Sequence, residues 1–185
     1  MTALSSQQIA FLRFRDRDER RIRMPAINIS HTITRLTQPN QNDCWAAAIA
    51  MATGYTIQRV KNLASFNSVD INTDGSLVSN DHQNILRLCR GFQMQPYRTA
   101  RVPAIARLAQ LMRHRPVVLL GTISGPAGQR LHALTIFRLT GEGRMNNTFI
   151  ELVDPFNSQI RYPFRYDDFC RRGHGPIVHT DYILA

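Results

Sequence analysis

The chain is predicted to be an α+β protein, with helices in its first 115 residues and an antiparallel sheet in the remainder. Three observations carry this. Up to Pro116, apolar residues recur at three- and four-residue spacing. Beyond it, they come in β-branched runs of strand length separated by Gly- and Pro-containing turns. The length of 185 residues and the hydrophobic content of 43% suit a single domain with a real core, and there is no internal repeat or low-complexity segment.

Residues 1–24 are expected to form a basic arm or linker, because the stretch from Phe11 to Arg23 is dense in mixed charge and poor in core-forming residues. A solvated helix or tail is one reading; a docking segment left from the processing of a larger polypeptide is the other. Pro25 ends any helix there, and residues 25–185 form the domain. Residues 27–36 alternate apolar and polar, as a strand or extended lead-in does. A helix should follow from Cys44: Asn40, Asn42 and Asp43 are N-capping types, the alanines with Ile49 and Met51 favour helix, and Gly54 is a stop. Residues 56–64 have helical spacing, and 67–80 read as a loop rich in Ser, Asn and Asp. Residues 81–90 predict a helix with Ile85, Leu88 and Cys89 on one side, closed by Gly91, so Cys89 is a core residue. Residues 101–114 predict another, with Val102, Ile105, Leu108, Leu111 and Met112 on its apolar face and Pro116 beyond it. Strands are expected at 116–123, 131–139, 148–154, 158–162 and 177–184. A turn at 124–130, a turn through Gly141 and Gly143, and a short helix at 165–172 complete the layout.

Composition narrows the function. No apolar run approaches the 18 or so residues needed to span a bilayer, so no membrane role is expected. The N-terminal residues lack a basic start followed by an apolar core, so any export would use a non-Sec route. Three cysteines, Cys44, Cys89 and Cys170, are far apart and odd in number, which fits a reducing compartment and not a disulfide framework. The C-x2-C spacing of zinc sites is absent, and no metal or other cofactor is expected. The net charge of +10 is almost wholly arginine; Lys61 is the one lysine among 23 basic residues. A basic surface favours acidic or nucleic-acid-associated partners, but the arginines follow no nucleic-acid-binding motif, so direct nucleic-acid binding is not the expected main function.

Cys44 heads a helix directly after a polar loop. The unpaired N–H groups and positive dipole end there favour thiolate over thiol, and the thiolate is the nucleophile. His132 opens a strand after a Gly/Pro turn, and Asp154 ends the next strand before Pro155. Neighbouring antiparallel strands would bring these two together, giving a base oriented by a carboxylate, as Cys–His catalysis requires. Gln38, six residues before Cys44, is the candidate amide donor for an oxyanion, with the Cys44 backbone N–H. Rivals are Gln41 for the amide, Asn157 for the orienting group, and His31, His82, His114, His174 and His179 for the base. Trp45 reads as packing beneath the nucleophile.

Gln38, Cys44 with Trp45, His132 with Ala133, and Asp154 with Pro155 together resemble the papain-like cysteine peptidases. The resemblance runs from about Leu36 to Ala185 and is strongest to their compact bacterial branch: the peptidase domains of bacteriocin-exporting transporters and the effector proteases injected by pathogens. The gaps of 88 residues from Cys44 to His132 and 22 from His132 to Asp154 suit that branch. The resemblance implies a helical subdomain bearing the nucleophile and an antiparallel sheet subdomain bearing His and Asp. It also implies thiolate–imidazolium chemistry at Cys44 and His132, with Asp154 orienting the ring and Gln38 steadying the oxyanion. Pro39 and Asn40 depart from the glycine-containing lead-in of papain itself, and Asp43 sets a carboxylate beside the nucleophile. That charge opposes a thiolate unless Asp43 is turned away as the helix cap.

The leading expectation is therefore a cysteine endopeptidase acting as a secreted bacterial toxin or effector on a protein in a target cell's cytoplasm, with an immunity or inhibitor protein as partner. The first alternative keeps the thiol chemistry but makes the enzyme an amidase, a deamidase or an acyl or glutamine transferase. The second is a non-catalytic basic binding module.

Overall fold

The computed structural model describes residues 26–99, 103–125, 128–172 and 177–185. The expected arm at 1–24 lies outside them. Among the described residues five helices follow in chain order: α1 (Cys44–Thr53), α2 (Ile57–Phe66), α3 (His82–Arg90), α4 (Ile105–Leu111) and α5 (Tyr166–Arg172). The strands are β1 (Ile27–Ser30), β2 (Pro96–Arg98), β3 (Val117–Gly125), β4 (Gly128–Gly141), β5 (Thr148–Asp154), β6 (Gln159–Arg165) and β7 (Ile177–Leu184). They form one antiparallel sheet in the order β2-β7-β3-β4-β5-β6, with β1 paired to the far end of β4. The expected meander is β3 to β6; β7 then returns to lie between β3 and the short edge strand β2.

The sheet is covered on both faces. Alternation along β3 sends Val118 and Leu120 to a core shared with α1, α2 and α3, and Val117 and Leu119 to one shared with α4 and α5. That two-sided burial is why these strands read as unbroken apolar runs. α1 is the innermost helix, with nine of its ten residues buried, from Cys44 to Ala52. Its alanines let it lie close on the sheet, and the buried Thr135 of β4 donates its hydroxyl to the Ala48 carbonyl at 3.0 Å. This bond ties the helix that carries the sulfur to the strand that carries the imidazole.

Three expectations need correction. The 124–130 turn is mostly strand: β3 and β4 pair as far as Gly125 with Gly128, because pairing along the long hairpin outweighs the turn preference of its glycines. Of the helix expected over 101–114, residues 101 and 102 lie outside the described residues, and the rest forms helix over Ile105–Leu111, with Ala104 extended at its start. β2 was not anticipated; three residues are too few to show a period. Gly54 does stop α1, in the left-handed region at φ 75° with its N–H on the Ala50 carbonyl.

Candidate active site

Strand register sets the base. Thr135 pairs with Val153, so Asp154 comes level with Leu134 and diagonal to His132 on the same face. The His132 ring is buried, and its Nε2 lies 2.8 Å from Asp154 Oδ1. That oxygen also accepts the Phe156 N–H at 3.0 Å, which fixes the carboxylate. Cys44 lies close enough to the same ring to raise its proton affinity. With Nε2 turned to Asp154, Nδ1 is left facing the sulfur.

Burial alone would discharge the His132 imidazolium. The hydrogen bond to Asp154, the nearness of Cys44 and the charge of the carboxylate override it and push the ring up to about 9. The ring is thus held protonated at neutral pH. Cys89 is the opposite case: burial with no compensating partner pushes its thiol up to about 12, so it is a core residue without nucleophilic character. Burial and Asp167 also raise Cys170.

The loop before α1 is bound to the sheet. The Gln38 backbone N–H donates to the Pro155 carbonyl at 2.8 Å, next to Asp154. The Gln38 side chain is buried, whereas Gln41 is exposed. Gln38 Nε2 donates to the carbonyls of Asn40 at 2.9 Å and Gln41 at 2.7 Å, and its Oε1 is buried without a hydrogen-bond partner among the described residues. To serve an oxyanion, this amide must exchange one loop carbonyl for the substrate oxygen. Cys44 opens α1, and its own N–H is one of those no helical carbonyl can accept.

Asp43 occupies the N-cap position of α1, but its side chain makes no capping bond. Its Oδ1 pairs with Lys61 Nζ from α2 at 2.7 Å, and its Oδ2 accepts from Asn40 Nδ2 at 2.8 Å. The expectation that it turns aside as a helix cap is therefore corrected: it is turned aside by a lysine. Trp45 is buried, with its Nε1 donating to the Gly75 carbonyl at 3.1 Å, as packing beneath the nucleophile requires. Asn42 Nδ2 reaches the Asp74 carbonyl of the same loop at 3.0 Å.

The rival groups lie elsewhere. His31 Nε2 is 2.7 Å from the Met112 carbonyl, His82 stacks on Tyr182, and His114 is exposed. His179 sits in β7 opposite Thr122, and His174 lies outside the described residues. Asn157 is exposed beyond the strand end. Among the described residues no group of three or more His, Cys, Asp or Glu could hold a metal ion, and no helix is long and apolar enough to cross a membrane. The feature that sequence reasoning missed is the Lys61–Asp43 pair; its one visible signal was a single lysine in an arginine-rich chain.

No family model and no curated protein matches the chain. Among the solved structures similar to it are two peptidases from transporters. One is the peptidase domain of Streptococcus ComA, a bifunctional ABC transporter involved in a quorum-sensing pathway: TM-score 0.50, 15% identity, covering 81% of this chain and 94% of that one. The other is a double glycine motif protease from an AMS/PCAT transporter, solved in complex with the leader peptide: TM-score 0.47, 15% identity, covering 85% and 96%. At that identity the likeness to the first shows the fold alone, and the fold is the α+β, antiparallel-sheet fold of papain-like peptidase domains.

Proposed function

We propose that the protein is a cysteine peptidase in which Cys44, His132, Asp154 and Gln38 carry the reaction. One observation carries the reading: a buried imidazole is hydrogen-bonded to a carboxylate and lies near enough to the sulfur at the head of a buried helix for the two to interact electrostatically. The Cys44 thiolate attacks a peptide carbonyl carbon, and the π electrons pass to oxygen. That oxyanion meets the Cys44 backbone N–H and the Gln38 amide. The His132 imidazolium gives its proton to the leaving nitrogen as the C–N bond breaks, leaving a thioester on Cys44. His132, now neutral, takes a proton from water, which attacks the thioester and releases the acid and the thiolate. Asp154 holds the ring in the one orientation that serves both steps.

The substrate is a protein in the cytoplasm of a target cell, and the enzyme is a secreted bacterial toxin or effector, kept in check in its producer by an immunity protein. The net charge of +10 supports an acidic or nucleic-acid-associated partner. The test is mass spectrometry of new protein termini in a susceptible cytoplasm, with wild type against Cys44→Ala. New termini with the wild type alone support the reading. Ammonia release or acyl transfer without new termini would move the same thiol chemistry to a deamidase or transferase.

A further inference from the structure

We propose that Lys61 and Asp43 are positioning residues for the nucleophile: an ion pair between a half-buried lysine and a buried carboxylate that cancels the charge beside Cys44 and holds, through Asn40, the loop that carries Gln38. The proposal rests on the reading of Cys44 as the nucleophile. Asp43 is 1% exposed, adjacent to Cys44 in sequence, and sits at the N-terminus of α1. Aspartate is among the strongest N-capping residues, yet this carboxylate caps nothing. Lys61 takes one of its oxygens and the Asn40 amide the other. The N–H groups at the head of α1 are thereby left unclaimed by Asp43.

The relay continues into the loop. The Asn40 carbonyl accepts both the Asp43 N–H at 3.1 Å and the Gln38 amide at 2.9 Å. Lys61, Asp43, Asn40 and Gln38 thus form one chain of contacts from α2 to the proposed oxyanion donor. An ion pair with a partly exposed lysine is a poor source of stability, because solvent screens its attraction while the buried carboxylate still loses its hydration. Its place beside the sulfur is what gives it a use. An unpaired carboxylate there would oppose the thiolate, and it would be free to swing onto the helix terminus as a cap. The charged and titratable groups around the sulfur are then His132 with Asp154 from the sheet and Asp43 with Lys61 from the helical side.

The experiment is the rate of iodoacetamide alkylation at Cys44, localised by mass spectrometry, as a function of pH in the whole protein. Lys61→Met should slow alkylation at pH 7 by about tenfold and move the half-maximal rate to higher pH. Lys61→Arg should keep the wild-type profile. The double variant D43N/K61M, with no buried carboxylate and the Asn40 contact retained, should return to within about threefold of wild type, since the opposing charge is gone. Folding defects are bypassed by acylating the folded wild type with an N-hydroxysuccinimide ester. Lys61 is the one lysine, so a single side-chain amine reacts, and Cys44 should slow as in Lys61→Met; the same treatment of Asp43→Asn should change little.

A wild-type rate and profile in both Lys61→Met and the acylated protein would overturn the proposal while leaving the nucleophile in place. So would a double variant as slow as Lys61→Met, which would reduce Lys61 to packing. A wild-type Cys44 no faster than Cys89 and Cys170 would remove the nucleophile itself, and the proposal with it.

Discussion

Each half of the molecule brings one buried carboxylate to the site, and the two are neutralised differently. On the helical side Asp43 meets the amine of Lys61 at 2.7 Å. On the sheet side Asp154 meets His132, a ring that gains and loses a proton at pH values an enzyme experiences. The first pair reaches the loop through Asn40 and suits holding a loop and a helix terminus. The second can change charge and suits moving a proton. The geometry behind them differs as well. Asp154 and His132 are placed by strand register, which two long strands specify strongly. Asp43 and Lys61 come from a loop end and the neighbouring helix, so no strand register sets them and their pairing is made by side-chain contact.

The sharpest way to break the comparison is to remove the group both halves serve. Cys44→Ala should abolish turnover, with a loss of about 10⁴-fold or more in kcat, because removing a nucleophile leaves only binding and oxyanion stabilisation. Asp154→Asn should cost between about 10²- and 10⁴-fold in kcat, since it disorders the base while leaving sulfur and cleft intact. The alkaline limb of its pH–rate profile should also move to lower pH, because Asp154 is one of the groups that raise the ring. Gln38→Ala should cost about 10²- to 10³-fold in kcat with a smaller change in KM, the pattern of a lost transition-state donor. Equal kcat in Gln38→Ala would mean that its amide stays on the loop carbonyls throughout.

Smaller effects test the frame. His132 has its folded-state value raised above the ordinary 6.5, to about 9. Its contribution to stability is therefore complete below about pH 6.5 and is lost as the pH rises through about 9. Chemical denaturation across that window should show falling stability in the wild type and a flatter profile in Asp154→Asn. Thr135→Val should cost about 1 kcal/mol from the lost bond to Ala48, read as a drop of about 2–4 °C in Tm, with kcat changed little.

Much of this arrangement was legible in the residues. α1 was readable because its caps, alanine content and Gly54 agree, and β5 and β7 because each is a β-branched run between clear breaks. Of the three groups the structure brings together, Cys44 and Asp154 stand at element ends, where sequence punctuation is strongest, while His132 lies inside β4, which begins earlier than its turn residues suggest. What stayed hidden depends on distant parts of the chain. The place of β7 beside β3 is a non-local pairing that no window contains. The role of Asp43 turns on Lys61, eighteen residues away in sequence, and local propensity pointed to a cap instead. The Gln38 amide is directed by the loop carbonyls of Asn40 and Gln41, a matter of backbone course and not of residue type.

The central claim is that sulfur and imidazole form one coupled pair. An NMR titration of the His132 ring in the wild type and in Cys44→Ala tests it most directly. The account predicts a ring protonated to about pH 9 in the wild type and a clearly lower midpoint once the sulfur is gone. A midpoint at the ordinary histidine value, or one indifferent to residue 44, would contradict it.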